Sequence, residues 1–227
     1  MHDVPLLLHI ETSTDVCSVA ISQGDQIIGH ALDKVAKRHA AILPLMIEEA
    51  RNQSGIRLDA LNAICYSKGP GSYTGLRVGL STAKGICFAL DKPLIGISTL
   101  LAMSYGVEGL SPDGILISMI DARRDEVYRE VYTADREVIE ESAPLILTRE
   151  SFIQYIQEGR QVYLCGNGAL KARDLLGTSE FLHFGGFEND ARYMVIPAIN
   201  RFLNRRYENL AYAVPEYLKA PTYKKAV

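Results

Sequence analysis

A chain of 227 residues, 48% hydrophobic and 22% charged, has the make-up of an ordinary globular protein and the length for one large or two small domains. Its net charge of -3 and pI near 6.0 argue against broad electrostatic capture of nucleic acid by this chain alone. Cys17, Cys65, Cys87 and Cys165 lie singly in apolar runs without C-x-x-C spacing, as reduced, buried thiols do. No basic region precedes Leu6-Leu7-Leu8 and no apolar run reaches about 18 residues, so neither a signal peptide nor a membrane span is expected. The expected location is the cytoplasm.

Three short strands are predicted over residues 6–10, 16–22 and 26–32, punctuated by turn residues such as Gly24-Asp25. A helix over 40–52 carries apolar residues at 42, 43, 45, 46, 47 and 50, with Pro44 in its early turns. That pattern covers more than one face and predicts contacts on two sides, one with the helix's own sheet and one elsewhere. A strand at 63–67, a glycine-bearing helix over 75–90, a strand over 93–97 and a helix from near Ser98 follow. A second unit starts around Gly114 with an apolar strand over 115–121 and a strictly alternating, half-buried strand over 126–132. A helix is expected near 148–157, then a strand over 161–165 running into Gly166-Asn167-Gly168 and another helix. A helix over 191–203 and an extended segment over 212–219 close the chain. Antiparallel strands followed by alternating helices and strands predict an α/β fold: a mixed sheet flanked by helices, built twice, in residues 1–108 and 109–227.

The segment Gly69-Pro70-Gly71-Ser72-Tyr73-Thr74-Gly75, leading into Leu76-Arg77-Val78-Gly79-Leu80-Ser81-Thr82-Ala83-Lys84-Gly85, stands out. Glycine inside a helix costs about 1 kcal/mol relative to alanine. Gly75, Gly79 and Ala83 recur every fourth residue and leave one helix face nearly flat, open to a closely approaching backbone. A glycine loop at a helix start also suits an anion. The spacing, however, matches neither the dinucleotide fingerprint nor the Walker loop, and Ser72 lacks the glycines of a nucleophile elbow. A close-packed turn and an anion site both remain open on the residues.

Asp121-Ala122-Arg123-Arg124-Asp125-Glu126 is the densest polar cluster, able to serve acid–base work or to brace a turn between two strands. The five histidines (2, 9, 30, 39 and 183) never form a closely spaced pair, so a metal site is not expected, and His39 at a helix start suits a structural or interface role.

The opening Ile10-Glu11-Thr12-Ser13-Thr14…Cys17-Ser18-Val19-Ala20-Ile21 resembles the first phosphate-loop hairpin of the actin/hexokinase/heat-shock-protein ATPase superfamily. Together with the glycine segment, Arg38-His39, Ile97-Ser98-Thr99-Leu100, Asp121-Ala122-Arg123-Arg124-Asp125-Glu126-Val127-Tyr128 and Pro215-Glu216-Tyr217-Leu218-Lys219, the chain resembles the TsaB (YeaZ) family along essentially its whole length. The resemblance implies a non-catalytic subunit of the bacterial machinery that makes N6-threonylcarbamoyladenosine beside the tRNA anticodon. It implies a heterodimer with the catalytic paralogue TsaD, the ATPase TsaE as a further partner, a homodimer when alone, and tRNA contact only through the complex. It places Thr99 and Met103, neither a good ligand, where the catalytic sister has a metal-binding histidine pair. No cofactor of the chain's own is expected, with ATP or ADP possible at the level of the complex.

Glu11, Thr12, Ser13, Gly166 and Gly168 would then be a vestigial nucleotide site, although glycine and asparagine also suit a strand-to-helix turn at 166–168 for conformational reasons alone. The expected partner interface is a four-helix contact made by His39, Leu43, Met46, Ile47, Ala50, Gly75, Leu76, Gly79, Leu80 and Ala83. The alternative is an independent small-molecule kinase or peptidase of the same superfold.

Overall fold

The computed structural model describes residues 4–185 and 188–219. Strands β1 (Leu6–Glu11), β2 (Cys17–Gln23) and β3 (Gln26–Asp33) form an antiparallel meander. Helix α1 (His39–Ser54) crosses to β4 (Ala63–Gly69), which pairs parallel with β1. Helix α2 (Tyr73–Leu90) leads to β5 (Leu94–Ser98), parallel to β4, and then to the short α3 (Thr99–Ser104). The sheet order is β3-β2-β1-β4-β5.

The second unit repeats that plan. The strands β6 (Ile115–Asp121), β7 (Glu126–Thr133) and β8 (Val138–Ile146) are antiparallel. After α4 (Ile153–Gln157), β9 (Val162–Cys165) pairs parallel with β6; α5 (Gly168–Leu176) and β10 (Leu182–Phe184) follow, giving the order β10-β9-β6-β7-β8. Reversed, this order is that of the first sheet. Two mixed sheets flanked by helices are therefore observed, as expected.

Alternation along the central strands splits the first core between two faces. Leu8, Ile10, Val19, Ile21 and Tyr66 pack on one side with Leu43, Met46 and Ala50 of α1 and Leu80, Ala83 and Cys87 of α2. Leu7, Ala20, Cys65, Ile95 and Ile97 point the other way, onto Ala191, Met194 and Ala198. Those last three belong to a 3-10 turn (Ala191–Met194) and α6 (Val195–Leu203), so the end of the chain returns to roof the first sheet. The expected division at 108/109 is corrected accordingly: residues 115–184 build the second sheet, whereas residues from Asn189 onward rejoin the first unit. The segment at 212–219 forms no strand; it straps across the end of β4, its Glu216 N–H donating to the Lys68 carbonyl at 2.6 Å.

Two strands escape the sequence pattern. β8 is an edge strand whose Glu140-Glu141-Ser142 stretch interrupts any apolar alternation, and β10 is three residues long. The helix expected at 148–157 starts only at Ile153, after a turn in which Phe152 is left-handed at φ +66°. Among the described residues no helix is long and apolar enough to cross a membrane.

Met194 is fully buried between the first sheet and its roof. Met194→Ala should cost about 3 kcal/mol in urea unfolding. A loss below about 1 kcal/mol would mean that the roof is not part of the first unit's core.

Candidate functional site

Two regions hold the predicted site residues: the loop between β1 and β2, and the α1–α2 pair. In the loop, Thr12, Ser13 and Thr14 are buried. The glycine segment lies directly against their backbone. A Cβ on Gly71 would stand 2.4 Å from the Ser13 carbonyl oxygen, one on Gly75 would stand 2.1 Å from the Thr12 carbonyl oxygen, and one on Gly79 would stand 2.2 Å from Thr12 Oγ1. No side chain fits at any of the three. The Ser72 N–H donates to the Ser13 carbonyl at 2.6 Å, and the Ser72 hydroxyl caps α2 by accepting from the Gly75 N–H at 3.3 Å. Of the two open readings, the close-packed turn is what the contacts describe: the chain's own Thr12-Ser13 segment fills the space beside the glycines, and its Ser13 carbonyl takes the Ser72 N–H.

Glu11 ends β1 fully buried. Its Oε1 accepts from the Ser13 N–H at 2.6 Å, while Oε2 has no hydrogen-bond partner. Ser67 Oγ accepts from the Thr12 N–H at 3.2 Å, and Asn189 Nδ2 donates to Ser13 Oγ at 3.1 Å. Burial pushes the Glu11 carboxyl up to about 7, against the Ser13 hydrogen bond and the nearby polar groups of Ser67 and Asn189, which pull it down. Sequence reasoning missed Ser67 and Asn189; Asn189 lies 176 residues from Ser13 and carries no local signal.

The other two members of the expected nucleotide set lie elsewhere. Gly166, at φ +84°, would place a Cβ 2.2 Å from the Met119 carbonyl oxygen, and one on Gly168 would stand 2.9 Å from Met119 Cβ. Their form is set by packing on β6. The structure therefore brings Glu11, Thr12 and Ser13 together in a closed, filled loop and gives Gly166 and Gly168 different neighbours.

The interface residues expected on α1 and α2 need correction as well. Leu43, Met46, Ile47, Ala50, Leu76, Leu80 and Ala83 are buried in the first core, and Gly75 and Gly79 are spent on Thr12. His39 is buried at the start of α1, its Nε2 unpartnered. The flat glycine face does meet a closely approaching backbone, but that backbone is the chain's own. The surface lies on the opposite side of both helices. Leu45 is 64% exposed and Phe88 is 84% exposed. Ala40, Ala41, Ser81 and Gly85 are exposed too, and nothing lies within 4 Å of where a Gly85 Cβ would be. A shallow groove between the helices is lined by Ala40, Tyr73, Thr74, Val78, Ser81 and Thr82. Arg77 closes one end, its guanidinium 4.0 Å from the centre of the Tyr73 ring and its Nε donating to the Tyr217 hydroxyl at 3.2 Å. For the second contact side expected of the first helix, the structure offers only this exposed face.

The polar cluster at 121–126 is a braced hairpin turn. Asp121 Oδ1 accepts from the Arg123 N–H at 2.6 Å and from Lys171 Nζ at 2.5 Å. Thr99 is fully buried and Met103 nearly so in α3, and among the described residues no three His, Cys, Asp or Glu side chains gather as a metal-binding group. All four cysteines are free and buried; burial pushes the thiols of Cys17, Cys87 and Cys165 up to about 12 and that of Cys65 higher.

Residues 29–226 match the family model described as TsaD, tRNA N6-adenosine threonylcarbamoyltransferase. The chain belongs to this family. Among the family's members it is similar to TsaB (YeaZ) proteins along most of its length and, over less than half of it, to proteins named tRNA N6-adenosine threonylcarbamoyltransferase. It is 34% identical to the tRNA threonylcarbamoyladenosine biosynthesis protein TsaB of Escherichia coli, over 57% of this chain and 55% of that protein. It is 26% identical to the Bacillus subtilis protein of the same name, over 94% of this chain and 93% of the relative. The match thus spans about half the length of the first relative and nearly all of the second. YeaZ from Pseudomonas aeruginosa superposes with a TM-score of 0.82 at 23% identity, over 94% of this chain and 100% of that one. The fold is that of the YeaZ structures.

Two outcomes follow from the buried loop. Gly79→Leu should lower stability by about 3 kcal/mol or more in denaturant unfolding, because its Cβ collides with Thr12 inside the subunit. The Glu11 carboxyl keeps its proton up to about pH 7 when folded and releases it near 4.5 when unfolded. Its contribution is therefore fully present below pH 4.5 and is lost as pH rises through 7, a change of about 3 kcal/mol. Melting curves from pH 4.5 to 8 should show Glu11→Gln falling less steeply than the parent; parallel curves would count against a buried, protonated Glu11.

Proposed function

We propose that this chain is a non-catalytic subunit that pairs with a TsaD-type catalytic protein for threonylcarbamoylation of the adenosine beside the tRNA anticodon. The observation that carries the reading is the exposed α1–α2 face. It combines a groove, small residues at Ala40, Ala41, Ser81 and Gly85, and two large apolar side chains in water, Leu45 and Phe88. Phe88, at 84% the most exposed large apolar side chain among the described residues, gains most from being covered by a partner.

Family membership supports the choice of partner: a paralogue of the same fold presents equivalent helices, and two pairs of helices pack as a four-helix contact of ordinary interface size. Alone, the same face pairs with a second copy through a self-complementary contact. The closed loop at Thr12-Ser13, with no room left beside the glycine segment, supports a role without nucleotide chemistry of the chain's own. Any ATP or ADP, and the ATPase TsaE, then act at the level of the complex.

Gly85→Arg and Phe88→Glu, made separately, should leave the lone chain folded, the first with a slightly higher melting temperature because a helix-interior glycine is removed and the second with little change, since both positions face open solvent. Each should weaken co-elution with the TsaD-type partner by tenfold or more, the loss typical of a contact near an interface centre. Undiminished co-elution of both variants would sink this reading. ATP turnover by the purified chain alone would favour the kinase alternative.

A further inference from the structure

The β6–β7 turn carries two side chains that neither the core nor the helix face employs. Arg123 and Arg124 are consecutive, exposed and both left-handed, at φ +74° and +51°. Residues with a Cβ avoid this backbone region, and two bulky ones in succession adopt it only where the surroundings hold them there. The surroundings do so here. Asp121 Oδ1 accepts from the Arg123 N–H at 2.6 Å, the Asn167 side chain accepts from the Asp121 N–H at 2.9 Å, and the Asp125 carbonyl accepts from the Leu147 N–H at 2.8 Å.

The carboxylates beside the turn are already neutralised by other cations. Lys171 Nζ lies 2.5 Å from Asp121, and Lys219 Nζ lies 2.5 Å from Glu126. Neither Arg123 nor Arg124 has an ion-pair partner among the described residues. Lysines thus occupy Asp121 and Glu126, and two guanidinium forks stand free on a rigid, strained support beside one carboxylate without a lysine partner among the described residues, Asp125.

We propose that this turn binds the sugar–phosphate backbone of RNA, with Arg123 and Arg124 each gripping a phosphodiester in the assembled complex. The planar fork of arginine matches two phosphate oxygens, and such contacts position a nucleic acid without reading its sequence. A chain of net charge -3 holds RNA poorly by itself, so the contact is useful only when a partner supplies the rest of the binding surface. The proposal rests on the tRNA-modifying role given above.

The test uses the complex of the full chain with its TsaD-type partner and an unmodified tRNA transcript, with Kd measured across salt concentrations. The double variant Arg123→Gly/Arg124→Gly should still assemble and should melt at a higher temperature, because glycine accepts the left-handed backbone. It should bind the tRNA roughly tenfold more weakly, with the salt slope reduced by about 1 to 2. The double lysine variant should recover most of the affinity at low salt. Unchanged affinity and slope in the glycine variant would overturn the proposal. So would loss of the protein partner, which would make the turn a protein contact, or weaker binding of free ATP with tRNA binding intact. Failure of the parent chain to assemble would sink the pairing reading and this one together, whereas an assembled complex indifferent to both arginines sinks this one alone.

Discussion

The arrangement of the first unit depends on one contact: the backbone of Thr12 and Ser13 lying directly on the backbone of Gly71 and Gly75, with the Thr12 side chain against Gly79. Nothing larger than a hydrogen atom separates the loop from the helix. That approach fixes α2 against the end of β1, brings the Ser72 N–H onto the Ser13 carbonyl, and leaves Thr12 and Ser13 buried. It also decides which way α2 faces. With Gly75, Gly79 and Ala83 turned inward, Ser81, Gly85 and Phe88 must turn outward. The outward face of the helix is a consequence of the inward one.

The same contact explains the state of Glu11. A carboxyl sealed beneath a loop that is itself sealed by a helix loses its water, and three polar neighbours only partly compensate. Asn189 supplies one of those neighbours and arrives from the far end of the chain. The roof of α6 over the opposite sheet face is a second link between chain end and first unit. The first unit is therefore closed by segments remote in sequence.

Much of the architecture was legible in the residues because period and punctuation carry it. β6 begins and ends where its apolar run does, and the expected starts and ends of the first three strands lie within one residue of those observed. β8 was not legible: an edge strand is half solvated, so its glutamates and Pro144 break the alternation that a buried strand displays. The glycine face was legible as a surface for close backbone contact, yet the identity of that backbone was not. Fourfold spacing of small residues records how near a neighbour comes and says nothing about whether it belongs to the same chain. The exposed face had a real signal in Leu45, an apolar residue out of phase with the buried stripe of α1. Asn189 and Ser67 gave none, since polar groups that meet across the fold have no periodicity to betray them.

The returning α6 also bears on how the protein is made. Leu7, Ala20, Cys65, Ile95 and Ile97 belong to strands completed within the first hundred residues, but their cover lies between Ala191 and Ala198. During synthesis one side of the first sheet stays bare until residues 191–198 have left the ribosome. The usual order, in which the leading unit matures while the trailing one is still being translated, is closed to this topology. The second unit, whose strands are complete by Phe184, can take its form before the first is roofed.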